Sequence, residues 1–231
     1  MNPLRAPARP VRLLLARHGR SVWNGTKRIT GQLDPPLAPK GVEEALELSG
    51  LLRDEPLAAV HSSTLARARE TARPTAEQHG LAVTECEALR ELHCGTLQGR
   101  FRDERDPEAL SVWQAWSRDR ATSRLPGNGE SYEDLAARVG PCVASILARL
   151  EVAAQTSEVV PTALVVAHRR TNAAFLAVAL GWPLARATEL RLRHQILYEI
   201  FWEGRGAGAP QLRSIRIDGR HGRDGVAGFE E

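Results

Sequence analysis

The sequence predicts an α/β fold, a three-layer sandwich in which a mostly parallel sheet has helices on both faces. Two observations support this fold class. Short apolar runs alternate with segments of helical periodicity over most of the chain, and parallel strands need crossover connections of that kind. Near the C-terminus two strand-like runs flank a glycine-rich turn, which predicts a C-terminal antiparallel strand or hairpin.

The first half of the chain carries three predicted strands and two predicted helices. An apolar run at 11–16 ends at a polar cluster, as a buried strand does. Residues 40–52 place apolar side chains near helical spacing, and a second helix is predicted at 65–79. Further strands are predicted at 57–60 and 81–84.

The second half begins with a loosely patterned excursion that holds one short helix. Ser131 and Asp134 have the spacing of a capping box and predict the start of a helix that runs to about residue 150. Pro141 lies inside this helix and predicts a kink or a break there. The later predicted elements are a strand at 162–167, a buried helix at 172–180, and a hairpin of 195–202 with 211–217.

These elements predict one domain with short tails. The domain spans 11–218 and contains a lid excursion at about 99–130, because no linker or internal repeat divides the alternating pattern. Residues 1–10 are rich in Pro and Arg and predict a flexible N-terminal tail. Residues 219–231 predict a polar C-terminal tail.

Charge and cysteine content exclude several classes of protein. Basic residues outnumber acidic ones by 31 to 28, and the acidic residues are interleaved with them, which disfavours a nucleic-acid surface. Three cysteines without a C-x-x-C spacing support neither a zinc site nor a disulfide framework, and reduced thiols fit best. The sequence offers no signal peptide and no apolar run of membrane-spanning length. We therefore expect a cytoplasmic protein.

Histidines and arginines follow the predicted strands at the sheet edge where ligands bind in open α/β folds. The clusters are Arg17-His18-Gly19, His61-Ser62-Ser63 leading to Arg67, and His168-Arg169-Arg170. Guanidinium groups bind phosphate well, so the sequence predicts a pocket for a dianion such as phosphate. Gly19 is expected to let the backbone approach this ligand closely. Burial and positive neighbours are expected to keep His18 neutral and nucleophilic.

Five motifs in this sequence resemble those of the histidine phosphatase superfamily, whose fold is phosphoglycerate-mutase-like. They run in the family's order over roughly positions 11 to 200, and together they are more specific than any one of them. The motifs are 15–24, 30–37 with Gly41, 62–72, 89–99, and 126–131 followed by 165–168.

The resemblance implies a covalent phosphohistidine mechanism that needs no metal and no cofactor. In such a mechanism His18 attacks phosphorus, while Arg17, Arg67 and His168 hold the phosphoryl oxygens. Glu91 would protonate the leaving oxygen and then, as a carboxylate, activate water. That role predicts a raised pKa for Glu91, with which its apolar sequence neighbours are compatible.

The resemblance also implies a set of substrate-binding residues. Asn24, Thr30 and Gly31 match positions that line the phosphate and the substrate, although turn formation accounts for them equally well. His93 lies near the site by the same match, with either a binding or a packing role. Arg169 is also placed beside the substrate.

Two arginines depart from the family pattern. Arg20 stands where an acidic or small polar residue is common, and Arg169 stands where a small residue is usual. One interpretation is that these arginines bind a second anionic group of the substrate. The other is that Arg169 and Arg170 form ion pairs with acids such as Glu130. The sequence leaves both interpretations open.

The leading functional hypothesis is a metal-independent phosphomonoesterase that acts on a small phosphorylated metabolite. A phosphoglycerate mutase is the alternative, because residues 91–99 are mutase-like. The short excursion at 99–130 and the segment 126–131 favour the phosphatase, since a smaller lid excludes less water. A non-catalytic phospho-ligand-binding module is disfavoured because the residues for catalysis are all present. The expected partners are a small phosphorylated substrate, with no nucleic acid and no membrane, and a homodimer is left open.

Overall fold

The computed structural model describes residues 4–217, which contain one six-stranded sheet. The strands are β1 (Val11–Arg17), β2 (Leu57–Ser63), β3 (Val83–Cys86), β4 (Thr162–Ala167), β5 (Ile196–Trp202) and β6 (Gln211–Arg216). Their order is β3-β2-β4-β1-β5-β6. The first four strands pair in parallel, whereas β5 and β6 are antiparallel to their neighbours. The predicted parallel sheet with a C-terminal antiparallel hairpin is confirmed.

Helices form the two outer layers. They are α1 (Pro39–Leu51), α2 (Ala66–Gln78), α3 (Pro107–Trp116), α4 (Tyr132–Thr156), α5 (Arg169–Leu180) and α6 (Leu184–Glu189). Leu13 and Leu15 of β1 share the larger apolar core with α4 and α5, and Leu14 and Ala16 share the smaller core with α1 and α2. Both faces of β1 are therefore buried, which explains its continuous apolar sequence.

Two strands differ from their predicted positions. β2 continues to Ser63, so His61 lies within the strand, opposite Val165 of β4, rather than in a loop. β3 begins at Val83 because the residues before it complete the end of α2. Gly80 adopts a positive φ of 63°, and the N–H of Leu81 donates to the carbonyl of Ala76 at 2.9 Å, as in a Schellman-type helix end.

The longest helix begins as predicted and extends beyond its predicted end. Ser131 and Asp134 form a reciprocal capping box at the start of α4. The helix runs through Pro141 to Thr156 without a break, although a proline removes one backbone hydrogen bond. Val139 and Val143 are fully buried on either side of Pro141, so tertiary packing holds both halves in one helix. The short helix α6 carries no strong sequence pattern and was not predicted.

The chain before β1 contacts the long helix in the part that the structure describes. The N–H of Ala8 donates to Glu151 at 2.9 Å, and the guanidinium of Arg9 donates to the carbonyl of Ala154 at 2.8 Å. The predicted C-terminal tail at 219–231 lies outside the described residues. Within 4–217, no helix combines the length and the apolar character that a bilayer crossing requires.

Candidate active site

The two histidines predicted for the site meet at the carboxyl ends of the adjacent strands β1 and β4. The N–H of His18, directly after β1, donates to the carbonyl of Ala167 at 2.9 Å. His168 directly follows β4 and is the N-cap residue of α5. Their ring centroids are 4.9 Å apart. Parallel strand pairing thus joins two side chains that are far apart in sequence.

The backbone orients the imidazole of His18. Its Nδ1 atom lies 2.7 Å from the carbonyl oxygen of Gly19, and a carbonyl only accepts, so Nδ1 carries the proton and Nε2 keeps its lone pair. Burial, followed by the proximity of His168, Arg67 and Arg17, holds the pKa of His18 well below its ordinary value. The ring is therefore neutral at pH 7, with a nucleophilic nitrogen at Nε2.

Gly19 is required by a different contact from the one predicted. A Cβ atom on Gly19 would overlap the carbonyl oxygen of Gly41 in α1, and a Cβ atom on Gly41 would overlap the carbonyl oxygen of Arg20. The N–H of Gly19 donates to the hydroxyl of Thr71 in α2 at 2.9 Å. The glycine therefore makes room for α1, which packs against the loop that carries His18. Close approach of a ligand to the Gly19 backbone stays a prediction.

His168 is completely buried and contacts the end of β2. Its Nε2 atom lies 2.9 Å from the hydroxyl oxygen of Ser63, and its Nδ1 atom has no hydrogen-bond partner among the described residues. Burial and the charges of Arg67 and Arg17 hold the pKa of His168 well below its ordinary value. This ring is neutral as well, so it can donate only one N–H group to a ligand.

Arg67, in the first turn of α2, is 1% exposed and is held by the loop between β1 and α1. Its guanidinium donates to the carbonyl of Leu33 at 2.7 Å, to the carboxylate of Asp34 at 3.1 Å and to the carbonyl of Gly31 at 3.1 Å. Burial lowers the pKa of Arg67 from its ordinary value. The side chain stays charged and oriented because the protein supplies its acceptors.

Arg17, the last residue of β1, contacts the segment that precedes β5. Its guanidinium donates to the carbonyl of Leu192 at 3.2 Å, while its buried Nε atom has no acceptor among residues 4–217. Burial and the nearby charge of Arg169 lower the pKa of Arg17 to about 9. A cation that is buried among other cations and left with an unpaired donor is well suited to bind an anion.

Glu91 lies in the loop after β3 and reaches the start of α5. Its Oε1 atom accepts the N–H of Leu92 at 2.8 Å, and Oε2 lies 3.9 Å from the guanidinium of Arg170. Burial alone would raise the pKa of Glu91, but the charges of Arg170, Arg169 and Arg17 and the N–H of Leu92 together lower it below its ordinary value. The expected raised pKa is therefore wrong, because the arginines around this carboxylate come from other elements.

Four of the five catalytic candidates line a cavity of about 310 Å³: Arg17, His18, Arg67 and Glu91. The fifth, His168, is fully buried behind the ring of His18 and is not part of the lining. The binding candidates that line the cavity are Asn24, Thr30, Gly31 and Arg169. Among the described residues, seven Arg and Lys side chains and one carboxylate, that of Glu91, line it. Such a lining can neutralise a phosphate dianion without any further cation.

His93 lies outside this cavity. Its Nδ1 atom accepts the N–H of Gly95 at 3.1 Å, and its Nε2 atom is 3.4 Å from the side-chain amide of Gln98. The chain turns into a short 3-10 helix, Gly95–Leu97, at this point, and the ring packs against that turn. Of the two roles left open for His93, the structure shows the packing contact.

The turn around Asn24 is held by its side chain. Its Oδ1 atom accepts the backbone N–H of Ser21, three residues earlier, at 2.7 Å, and its own backbone N–H donates to the carbonyl of Ser21 at 3.0 Å. Its amide nitrogen lies 3.2 Å from Nε2 of His194. Gly31 has a positive φ of 51°, so both residues shape the backbone as well as line the cavity.

The two atypical arginines, Arg20 and Arg169, and their neighbour Arg170 have different environments. Arg20 forms an ion pair with Glu44 at 3.3 Å. Arg170 contacts Glu91 and lies over the ring of Trp113 at 5.0 Å. Arg169 forms no ion pair within the described residues, and the charge of Arg170 and burial lower its pKa to about 10. The proposed pairing with Glu130 does not occur, because Glu130 bonds Arg138 of α4 at 2.7 Å.

The histidine phosphatase superfamily (branch 1) matches residues 13–214 of this chain. The chain belongs to the histidine phosphatase superfamily. The match covers all six strands except the two terminal positions at each end, so the sheet that carries the site is the family's sheet.

Relatives within the superfamily include mutases and phosphatases. Probable phosphoglycerate mutase GpmB of Yersinia pestis is 30% identical over 84% of this chain and 86% of its own length. The structure of a mycobacterial glucosyl-3-phosphoglycerate phosphatase is 34% identical, with a TM-score of 0.74 over 84% of this chain and 91% of that one. An alpha-ribazole phosphatase from Shigella flexneri is 27% identical, with a TM-score of 0.69 over 82% and 90%. The predicted enzyme class, a histidine phosphatase, is confirmed.

Sequence reasoning missed several residues of this histidine phosphatase site. His194 packs its ring 5.6 Å from that of His18 and, through Nδ1, contacts the His18 carbonyl oxygen at 2.7 Å. Arg102 and Trp113 reach the cavity from the excursion between β3 and α4. None of these follows a strand end: His194 and Arg102 lie in loops without regular periodicity, and Trp113 lies in the short helix α3. Only Asp34, which bonds Arg67, lies inside a motif that the sequence had singled out.

Proposed function

We propose that this protein is a metal-independent phosphomonoesterase that hydrolyses a small phosphorylated metabolite through a phosphohistidine at His18. One observation carries the proposal. His18 is buried and neutral, and its Nδ1–H donates to the carbonyl of Gly19, which leaves the lone pair on Nε2. The His18 side chain lines a cavity that is also lined by seven cationic side chains. That combination gives a nucleophile at neutral pH together with charge stabilisation of a phosphoryl group.

In the first step, Nε2 of His18 forms a bond to phosphorus as the bond between phosphorus and the leaving oxygen breaks. The guanidinium groups of Arg17 and Arg67 and an N–H of His168 stabilise the charge on the equatorial oxygens. The leaving oxygen takes a proton from Glu91. A bound phosphate dianion offsets the arginine charges that lower the pKa of Glu91, so substrate binding itself favours the protonated acid.

In the second step, water replaces the imidazole on phosphorus. Glu91, now a carboxylate, accepts a proton from the attacking water, and the bond between His18 and phosphorus breaks. Inorganic phosphate leaves with the oxygen from water, and Glu91 is left protonated for the next cycle. Each proton that Glu91 gives in the first step is thereby returned in the second.

The lining of the cavity supports a reaction without a metal. Divalent cations such as Mg²⁺ prefer several oxygen ligands, chiefly carboxylates, and Glu91 is the one carboxylate that lines the cavity among the described residues. Seven cationic side chains supply the neutralising charge instead. The named activities of the mycobacterial and Shigella flexneri relatives also support a phosphatase that acts on a small metabolite.

A phosphoglycerate mutase remains the second candidate, because the Yersinia pestis relative carries that name. Both activities begin with the same phosphohistidine, and they differ in whether water or the released product attacks it. The cavity around His18 adjoins a second cavity of about 1290 Å³. Easy access of water to the phosphoenzyme favours hydrolysis over return of the phosphoryl group.

Hydrolysis of p-nitrophenyl phosphate by the wild type and by His18→Ala tests the proposal. The wild type should release p-nitrophenol and form an acid-labile phosphoenzyme, with or without EDTA. His18→Ala should lose both properties while keeping the wild-type circular dichroism spectrum. A fully active His18→Ala variant would rule out the mechanism. Conversion of 3-phosphoglycerate to 2-phosphoglycerate faster than phosphate release would favour the mutase.

A further inference from the structure

A second, larger cavity lies next to the phosphoryl cavity. It has a volume of about 1290 Å³ and shares Arg17, Arg102 and Arg169 with the smaller one. A typical small-molecule pocket has a volume of roughly 300 to 1,000 Å³. The phosphoryl cavity lies at the lower end of that range and the second cavity lies above it. Together they offer more space than a phosphorylated three-carbon acid requires.

Two loops form the wall of this cavity, and hydrogen bonds hold them together. The first loop, 117–121, follows α3, and the second, 188–195, links α6 to β5. Arg120 in the first loop donates to the carbonyl of Thr188 in the second at 3.2 Å, and its own carbonyl accepts the N–H of Tyr132 in α4 at 3.0 Å. The cavity is therefore built by defined contacts between elements of the fold.

Positive charge in the cavity is far from balanced. Nine arginines and two carboxylates line it. The carboxylate of Asp119 accepts hydrogen bonds from the hydroxyl groups of Thr122 and Ser123, which follow it in the same loop. Arg191 and Arg193 are exposed and form no ion pair with any carboxylate in the part of the chain that the structure describes. Crowded guanidinium groups repel one another, and a bound anion removes that repulsion.

Arg17 connects the two cavities. Its side chain lines both of them, and so does that of Arg169, whose charge lowers the pKa of Arg17. A ligand that spans both cavities would pass these two guanidinium groups, and its anionic groups would offset their mutual repulsion.

From these observations we propose that the second cavity is an anion subsite for the leaving group of an extended phosphate ester. The proposal rests on the proposed function and names its substrate class. The scissile phosphate lies beside His18, and the leaving group, of at least monosaccharide size, carries a second phosphate or carboxylate that binds Arg191 and Arg193. Guanidinium groups recognise both anions through paired N–H donors.

A small ligand fits this surface better than a nucleic acid does. The arginines line a concave cavity that is continuous with the phosphoryl cavity, whereas nucleic-acid backbones bind basic surfaces that follow a groove or an exposed face. A duplex oligonucleotide therefore serves as a probe for the competing class of ligand.

Matched pairs of substrates test the subsite. Glucose 6-phosphate and 6-phosphogluconate share a six-carbon skeleton and differ in a carboxylate, and glucose 1,6-bisphosphate adds a phosphate instead. We expect the wild type to show a kcat/KM for at least one ester with a second anionic group that is about tenfold or more above that for glucose 6-phosphate, because charge-assisted hydrogen bonds contribute that much. The carboxylate of 6-phosphogluconate and the second phosphate of glucose 1,6-bisphosphate distinguish a carboxylate subsite from a phosphate subsite, and 3-phosphoglycerate tests the required size.

The double variant R191Q/R193Q removes both charges and keeps hydrogen-bonding side chains. It should reduce kcat/KM for the ester with a second anionic group to within about twofold of that for glucose 6-phosphate, with most of the loss in KM. Arg213→Gln is the matched control, because Arg213 is an exposed arginine of β6 that lines neither cavity. It should keep the wild-type preference.

Calorimetric binding to the His18→Ala protein separates the two proposals. If no ester is hydrolysed, the proposed function fails, and tighter binding of glucose 1,6-bisphosphate than of glucose 6-phosphate still supports the subsite. Equal affinity and equal kcat/KM within the matched pairs overturn the subsite and leave the proposed function intact. A preference that survives in R191Q/R193Q, a preference for 3-phosphoglycerate, or tighter binding of the duplex oligonucleotide also overturns it.

Discussion

The hydroxyl oxygen of Ser63 lies 2.9 Å from Nε2 of His168 and also accepts the N–H of Leu65 at 3.2 Å. Among the described residues, Nε2 of His168 is the one hydrogen-bond acceptor that faces the Ser63 hydroxyl, so the hydroxyl proton is donated to it. The proton of the neutral imidazole then resides on Nδ1, the nitrogen without a partner among the described residues. A serine at the end of β2 thus sets the tautomer of the second histidine in the site.

Ser63→Ala should lower kcat/KM for p-nitrophenyl phosphate by about tenfold, since it removes one hydrogen bond to His168. Ser62→Ala is the control, because Ser62 is equally buried and donates only to the carbonyl of Ser63. Both variants should unfold at similar urea concentrations. An equal loss of activity in the two variants would contradict a positioning role for Ser63.

Stability should decrease as the pH falls from 7 to 5. The folded protein holds the pKa values of His18 and His168 well below that of an unfolded histidine. The unfolded chain therefore binds more protons in this range, and the free energy of unfolding falls by about 2 kcal/mol between pH 7 and pH 5 for each histidine. Urea titrations at several pH values measure this decrease. His168→Gln should make the decrease about 2 kcal/mol smaller, and an unchanged decrease would contradict the buried neutral ring.

Glu91→Gln should separate the two chemical steps. The p-nitrophenolate group leaves readily without an acid, whereas hydrolysis of the phosphohistidine still needs a base. We expect steady-state turnover to fall by about 10² to 10⁴, preceded by a burst of p-nitrophenol that is stoichiometric with the enzyme. Stopped-flow absorbance measures the burst. Glu108→Gln, an exposed carboxylate of α3, should retain wild-type turnover, and slow turnover of Glu91→Gln without a burst would argue against the second role of Glu91.

Gly19→Ala should destabilise the protein by about 1 to 3 kcal/mol, as overpacking does in other cores. The added Cβ overlaps the carbonyl of Gly41 and pushes α1 away from the loop of His18. Gly50→Ala is the contrasting control, since Gly50 lies in α1 with open space around its Cβ position. That change should leave stability equal or increase it. Urea unfolding of both variants measures the difference.

Two of the cysteines should differ sharply in reactivity. A hydrogen bond from Cys142, at 3.0 Å between the sulfur atoms, lowers the pKa of Cys86 to about 6, whereas burial raises the pKa of Cys94 to about 11. Iodoacetamide at pH 7 should therefore label Cys86 well before Cys94, as peptide mass spectrometry would show. Cys142→Ser should change the labelling rate of Cys86, and an unchanged rate would disprove the coupling.

The sequence by itself determined the layers of the fold and the strand-end residues of the site. Continuous apolar runs identified the central parallel strands β1 and β4, because these strands are buried on both faces. His18, Arg17 and His168 could be found because each belongs to, or directly follows, a strand whose carboxyl end meets the others at one edge. Arg67 could be found because its motif follows β2.

Only the tertiary structure decided the electrostatic state of the site. The apolar neighbours of Glu91 in sequence predicted a raised pKa, yet Arg170 and Arg169 from α5 lower it. His194, Arg191 and Arg193 come from the loop before β5, which has no regular periodicity, so no local pattern placed them. A pKa depends on charges within a few ångströms in space. Sequence periodicity reports which side of an element is buried, and it carries no information about which distant charges pack there.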